Sequence, residues 1–430
     1  MSATADASGF EAKGAGQEQA PGLAALRAKA SRLLDWLVAF WVFTGGMVLF
    51  EPSPYELSFL LVLPVALFAG FGLHRSMLGL LAIFVGFIPF ALIGAFQSRY
   101  TPLDDGMIFV IVTVFLIFTS YFVANYVADA PVRRMRLIVA AYTASAVISA
   151  LVGTLAYLGV LPGAELFLRY DRAKAFFQDP NVFGPFLILP AIYALQRILL
   201  GSLRQALWAA PVVGIIFVGV FVSFSRAAWG HLAVSAVIVL ALCFLLEAGA
   251  KAKTRILIMA LAGAALIVVS VVGLLSIPAV SRLFEIRAAT QDYDGGETGR
   301  FGRQGYAFEL ALEHPFGIGP LEFRNLRVIE EAHNTYVSVL HVYGWGGGFC
   351  FFAMFGWTLW RGVAGLIRAG PNRLLLIPLM AVFVPLAGEA AIVDTDHWRH
   401  LFLIIGLIWG VTARTRPTRM NEAERRAALV

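Results

Sequence analysis

The feature that most constrains this chain is the recurrence of uninterrupted apolar runs of membrane length. One of them, DDGMIFVIVTVFLIFTSYFVANYV over Asp104–Val127, carries no charge after its two opening aspartates. About 20 apolar residues suffice for a helix to cross a hydrocarbon layer of about 30 Å. Comparable runs recur near 33–50, 56–73, 77–96, 107–128, 136–159, 182–199, 207–224, 227–246, 255–277, 335–360, 373–392 and 400–413. The expected fold is therefore an all-α polytopic membrane protein of about twelve transmembrane helices. Composition agrees: 59% of residues are hydrophobic and 14% charged, against roughly 45–50% and 25% in a soluble domain. Pro185 and Pro190 interrupt the run after Val182, which membrane helices tolerate.

Charge placement orders these segments. Residues 1–30 read as a disordered cytosolic tail, 31–276 as the first nine spans, 277–334 as one large helical outer loop, 335–413 as the last three spans and 414–430 as a basic cytosolic tail. With the N-terminus in the cytosol, inside clusters fall at Arg133, Arg134 and Arg136, at Lys251, Lys253 and Arg255, and at Arg361, Arg368 and Arg373. That satisfies the positive-inside rule. The net charge of +6 is thus an orientation signal, and it lacks the aromatic-interleaved stripe of a nucleic-acid binder. Cys243 and Cys350 lie in apolar runs and read as packing residues.

The basic residues left on the outer side stand out: Arg169, Arg172, Lys174, Arg226, Arg300, Arg303 and Arg399. Arg226 sits in the tight turn VSFSRAAWG between two spans, where a guanidinium calls for a phosphate, a distant carboxylate or a snorkelled exit. Within the outer loop, TGRFGRQGYAFELALEHP reads as a helix N-capped by Thr298 and stopped by Pro315 and Gly317, with Arg300 and Arg303 on one face. At the loop's return to the membrane stands His333, in EEAHNTYVSVLHVYGWGGG. An isolated histidine there also fits an interfacial anchor or a cap, and Asn334 reads most simply as the cap of the next helix. GWGGG reads as close helix packing, and His314 as structural.

Three segments together, FVSFSRAAWG, GRFGRQGYAFELALEHPFGIGP and EEAHNTYVSVLHVYGWGG, resemble the O-antigen ligase family in order and spacing. FFQDPNVFG and DTDHWRHLF are weaker echoes outside them. The resemblance implies an inverting, metal-independent, polyprenyl-pyrophosphate-dependent glycosyltransferase of the bacterial inner membrane, needing no cofactor and working at the periplasmic face. Its donor would be an undecaprenyl-pyrophosphate-linked glycan and its acceptor the lipid A core or another glycan. Its partners would otherwise be membrane lipids, not nucleic acid.

Such chemistry needs cationic stabilisation of a leaving pyrophosphate and a base for the acceptor hydroxyl. His333 is the expected base, and Arg226, Arg300 and Arg303 the expected clamp. Arg172, Asn181, Asn334 and Arg399 are further candidates for substrate contact, with a turn and cap as the alternative for Asn181 and Asp179. Asp394 and Asp396 form a D-x-D, for which pairing with one of the arginines is preferred over a metal site. Glu389 needs a partner within the bundle. A polysaccharide polymerase shares this pattern. A lipid-glycan transporter would instead show inverted repeats and midspan ionisable residues, and no repeat is visible.

Overall fold

The computed structural model describes residues 21–289, 295–297, 299–326, 330–368 and 370–413. In chain order the described helices are α1 (Pro21–Thr44), α2 (Pro54–Phe68), α3 (Leu78–Ala95), α4 (Leu103–Asp129), α5 (Pro131–Tyr157), α6 (Pro180–Phe186), α7 (Ile188–Leu200) and α8 (Leu203–Val222). There follow α9 (Arg226–Leu242), α10 (Ala250–Leu275), α11 (Pro278–Ala288), α12 (Arg300–Glu313), α13 (Thr335–Ile367), α14 (Arg373–Glu389) and α15 (Arg399–Val411). Between α5 and α6 two short strands, β1 (Leu168–Arg169) and β2 (Arg172–Ala173), pair antiparallel.

Helix covers each of the twelve apolar runs. Among the described residues, eight helical stretches are long and apolar enough to cross a membrane unaided. Among the others, α2 has 15 residues and α15 has 13, about 20 Å of helix each. The proline signal at 185 and 190 shows as a break between α6 and α7 at Leu187. Residues 21–30, expected in a disordered tail, open α1 instead. Pro21 stands at its first position and the following Ala, Leu, Arg and Lys residues favour helix. The rest of that tail and the basic tail 414–430 lie outside the described residues.

α15 shows how the bundle centre is built. It is apolar all round, and every residue from His400 to Val411 is buried. Gly406 and Gly410 let α4 approach: a Cβ at either would stand 2.6 Å from the Ser120 carbonyl or 2.9 Å from that of Ala124, the close contact small residues permit between membrane helices. Ser120 donates from Oγ to the Phe402 carbonyl at 2.8 Å.

Two locks pin the segment between α10 and α13 to this bundle. In the first, HPFGIG packs into a break in α13 at Gly344 (φ 70°). A Cβ at Gly317 (φ 82°) would meet the Val342 carbonyl at 2.6 Å, and one at Gly344 the Pro315 carbonyl at 2.4 Å, so both positions require glycine. In the second, the Glu322 carboxylate accepts from the backbone N–H groups of Arg99, Tyr100 and Thr101 at 2.9–3.2 Å. The expected close packing at GWGGG holds, since a Cβ on Gly346 would stand 2.2 Å from the Phe90 ring.

Glu389 finds its partner in His231, whose Nδ1 lies 2.7 Å from its carboxylate while Nε2 donates to the Val382 carbonyl at 3.1 Å. Glu389 closes α14 and His231 sits near the start of α9, so the pair lies toward one end of the bundle, not at midspan.

Removing one member of such a buried pair strands the other. His231→Leu is expected to cost about 3–5 kcal/mol, and His231→Leu/Glu389→Leu to recover much of that loss. Thermal unfolding in detergent checks this; a double variant no more stable than His231→Leu alone would refute the coupling.

Candidate functional site

The two ends of the bundle differ. At one, Arg361 donates to the Ser76 carbonyl, Arg255 to those of Gly201 and Ile198, and Arg373 to Glu247. At the other end a cavity of ≈ 730 Å³ is lined by Arg169, Arg172, Arg226, Arg287 and Arg300 together with His333.

The local sequence explains how each arrives. In VSFSR, Phe224 takes a left-handed conformation (φ 46°) and is fully buried, so the chain reverses at once. Ser225 caps α9 by accepting from the Ala228 N–H, and Arg226 becomes the first residue of that helix. Arg300 likewise opens α12, with Gly299 at the cap position; the expected cap, Thr298, lies outside the described residues. Two helix N-termini thus face the cavity and add their partial positive charge to the guanidinium groups.

Arg172 is buried beneath them. Its Nε donates to the Ser223 carbonyl at 2.8 Å and its Nη2 to Asn181 Oδ1 at 2.8 Å, so it ties β2 to the Ser-Arg turn and to the start of α6. Asp179 caps α6 by accepting from the Asn181 N–H at 2.7 Å. The turn-and-cap reading is right for Asp179, whereas Asn181 also braces an arginine at the cavity wall. Burial, and next the positive charge of Arg287 with Arg169 and Arg226 behind it, push the Arg172 guanidinium down to about 10 against the pull of Asp179. A site that strains its own cations in this way favours an anion.

His333 is held from three sides. Its backbone is left-handed (φ 55°), its N–H donates to Asp394 Oδ2 at 3.1 Å, and its carbonyl accepts from Gln304 Nε2 of α12 at 3.0 Å. The imidazole Nδ1 lies 3.3 Å from Asp394 Oδ2 with the ring about one-third exposed. The same carboxylate accepts from the Asn334 N–H at 3.1 Å and from Ser338 Oγ at 2.9 Å. Burial alone would raise the Asp394 carboxyl, but the hydrogen bond and charge of His333 and the Ser338 bond bring it below its ordinary value. With Nδ1–H turned to Asp394, Nε2 is the basic atom left for a substrate.

The remaining expected residues divide. Asn334 caps α13, its Oδ1 accepting from Tyr336 and Val337. Arg303 is buried against Glu330 and does not line the cavity. Arg399 pairs with Glu56 at 2.7 Å and Glu51 at 3.3 Å. Among the described residues the expected pairing of Asp394 or Asp396 with an arginine is not found: Asp394 meets His333, and Asp396 meets His397 at 3.3 Å. Each aspartate flanks a backbone turn that already presents a histidine at shorter reach. Among the described residues no three His, Cys, Asp or Glu side chains gather as a metal site would need.

Two cavity residues escaped the sequence reading. Arg287 ends α11, masked as one more charge in a soluble loop. Glu331 precedes the His-Asn pair; its Oε1 is buried without a hydrogen-bond partner among the described residues. Burial, and then the Asp394 charge, lift its carboxyl to about 7, against Arg324 and His333, with Asp396 adding to the rise. Two adjacent acids beside a histidine were the available signal, but only packing distinguishes exposed Glu330 from enclosed Glu331.

Residues 211–352 match the family model described as O-antigen ligase, which bears out the resemblance over that segment. It takes in Arg226, Arg300 and His333, while Arg172 and Asp394 lie outside it. No curated protein matches the chain.

Folded protein retains the Glu331 proton up to about 7, whereas the unfolded carboxyl releases it near 4.5. The stabilisation from that proton is full below the lower value and lost as pH rises through the upper one. The melting temperature of Glu331→Gln should therefore gain on wild type as pH rises from 5 to 8. A constant difference across that range would place Glu331 in water.

Proposed function

We propose that this chain is a membrane glycosyltransferase of the O-antigen ligase type, moving a glycan from undecaprenyl pyrophosphate to an acceptor hydroxyl. The observation that carries this reading is the placement of His333, oriented by Asp394, on the wall of an arginine-lined cavity. The match at residues 211–352 supports it.

In this reading the donor's pyrophosphate lies against Arg226, Arg300, Arg287 and Arg172, whose charges and the two helix N-termini stabilise the negative charge that grows as it leaves. His333 Nε2 takes the proton of the acceptor hydroxyl. The freed oxygen bonds to the anomeric carbon, and the bond from that carbon to the phosphate oxygen breaks, its electron pair departing with the pyrophosphate. Asp394 keeps the imidazole in the tautomer that can accept and steadies the imidazolium that forms. Attack opposite the leaving group inverts the anomeric centre.

We assign the chain twelve spans in the bacterial inner membrane, with the cavity opening to the periplasm and the lipid A core as acceptor. The position of the basic clusters at the far end of the bundle favours that orientation. A transporter would place its ionisable residues at midspan, whereas His231 and Glu389 lie toward one end.

His333→Ala should lose transfer by about 10²–10⁴-fold while the protein remains inserted, and Arg226→Lys most of its activity, because a point charge does not replace a bidentate fork. Wild-type transfer by His333→Ala would overturn the base assignment. A strain lacking the protein should accumulate long chains on the lipid carrier beside bare lipid A core. Single repeat units on the carrier would instead make the acceptor another lipid-linked unit and the protein a polymerase.

A further inference from the structure

Beside the arginine-lined cavity lies a second one of ≈ 340 Å³, and Val182, Glu331, Asp394 and Trp398 line both. Its size is at the lower end of small-molecule sites, about 300–1,000 Å³. Its balance of charge differs: the larger cavity sets five arginines against Asp179, Glu330, Glu331 and Asp394, whereas here acids outnumber guanidinium groups. Glu51, Asp394 and Asp396 contribute carboxylates and Glu331 a carboxyl to its wall, against Arg324 and an Arg399 already paired with Glu51 and Glu56. A phosphate entering here would meet mostly like charge, with Arg324 as the wall's one guanidinium not paired to a carboxylate among the described residues.

Three features suit the site to a sugar. Phe109 and His397, both partly exposed, line it, and the apolar C–H face of a pyranose can lie against such rings. Carboxylates accept hydrogen bonds from sugar hydroxyls. Two polar groups of the wall are also unsatisfied among the described residues: Glu331 Oε1, and Nε2 of His400, a residue only 3% exposed. Buried polar atoms normally have partners, so these two mark where a ligand's hydroxyls would complete the set.

We propose that this smaller cavity is the acceptor subsite, taking the terminal neutral, polyhydroxylated sugar of the acceptor glycan and rejecting phosphorylated or acidic sugars. The proposal rests on the glycosyltransferase reading above and adds to it a division of the site by charge. The pyrophosphate occupies the arginine side, the acceptor sugar the carboxylate side, and the reacting hydroxyl crosses at the shared wall where Asp394 orients His333. Glu331 bonds that sugar at the crossing.

The test uses purified full-length protein in nanodiscs, the lipid-linked glycan as donor and O-antigen-free lipopolysaccharide of the source strain as acceptor. Gln178 is exposed at the rim of the smaller cavity, so Gln178→Trp should narrow its mouth without disturbing the bundle. It should raise the acceptor KM at least about tenfold, with kcat at saturating acceptor and the binding of undecaprenyl pyrophosphate unchanged. Asp396→Asn should move the acceptor KM the same way and let a phosphorylated acceptor compete better. Acceptor KM unchanged in both variants, or undecaprenyl pyrophosphate binding weakened in both, overturns the subsite while leaving the enzyme reading in place. Wild-type protein that transfers nothing overturns both.

Discussion

The site depends on one carboxylate. Asp394, in the connection between α14 and α15, receives two backbone N–H groups, a serine hydroxyl and an imidazole, all from the stretch His333–Ser338. It thereby ties the start of α13 to the last helices and orients the histidine. A group with this many donors is costly to leave unfilled, so the left-handed backbone of His333 and the tautomer of its ring are set together. Thr335 reinforces the seam, its N–H donating to the Ala390 carbonyl and its hydroxyl to that of Val393.

What keeps the arginines in register is more distributed. Arg226 depends on the sharp reversal at Phe224 and the Ser225 cap; Arg300 depends on α12 being held by Gln304 to the His333 carbonyl and by the HPFGIG turn against Gly344. The charged groups rest on helix starts and braced turns, a rigid mounting for groups that must present charge without reorganising. Across the shared wall the balance of charge shifts from basic to acidic.

Apolar length and period were enough to place helix on all twelve runs, and the Ser-Arg turn, the loop arginines and the His-Asn pair were legible as a set. The capping role of Asn334 was legible too, because a side-chain acceptor at the head of an apolar run has few other uses. Other residues were misread or missed for one reason. Arg303 and Arg300 are three residues apart on one helix, yet one turns to Glu330 and the other to the cavity. Glu330 and Glu331 are neighbours with opposite surroundings. Asp394 was read as an arginine's partner because charge suggests opposites, while its real partners come mainly from a backbone turn 60 residues earlier.

Sequence by itself determined that the chain is a helical membrane bundle with its unexplained cations on one side, because hydrophobic length and charge position act locally along the chain. Tertiary structure decided which cations share a cavity, which carboxylate holds the histidine, and that a second, more acidic cavity lies alongside. Those outcomes rest on contacts between α5–α6, α9, α12, α13 and the α14–α15 turn, segments far apart in the chain. Burial and partner choice at such contacts come from the packing of whole helices, which no local pattern encodes.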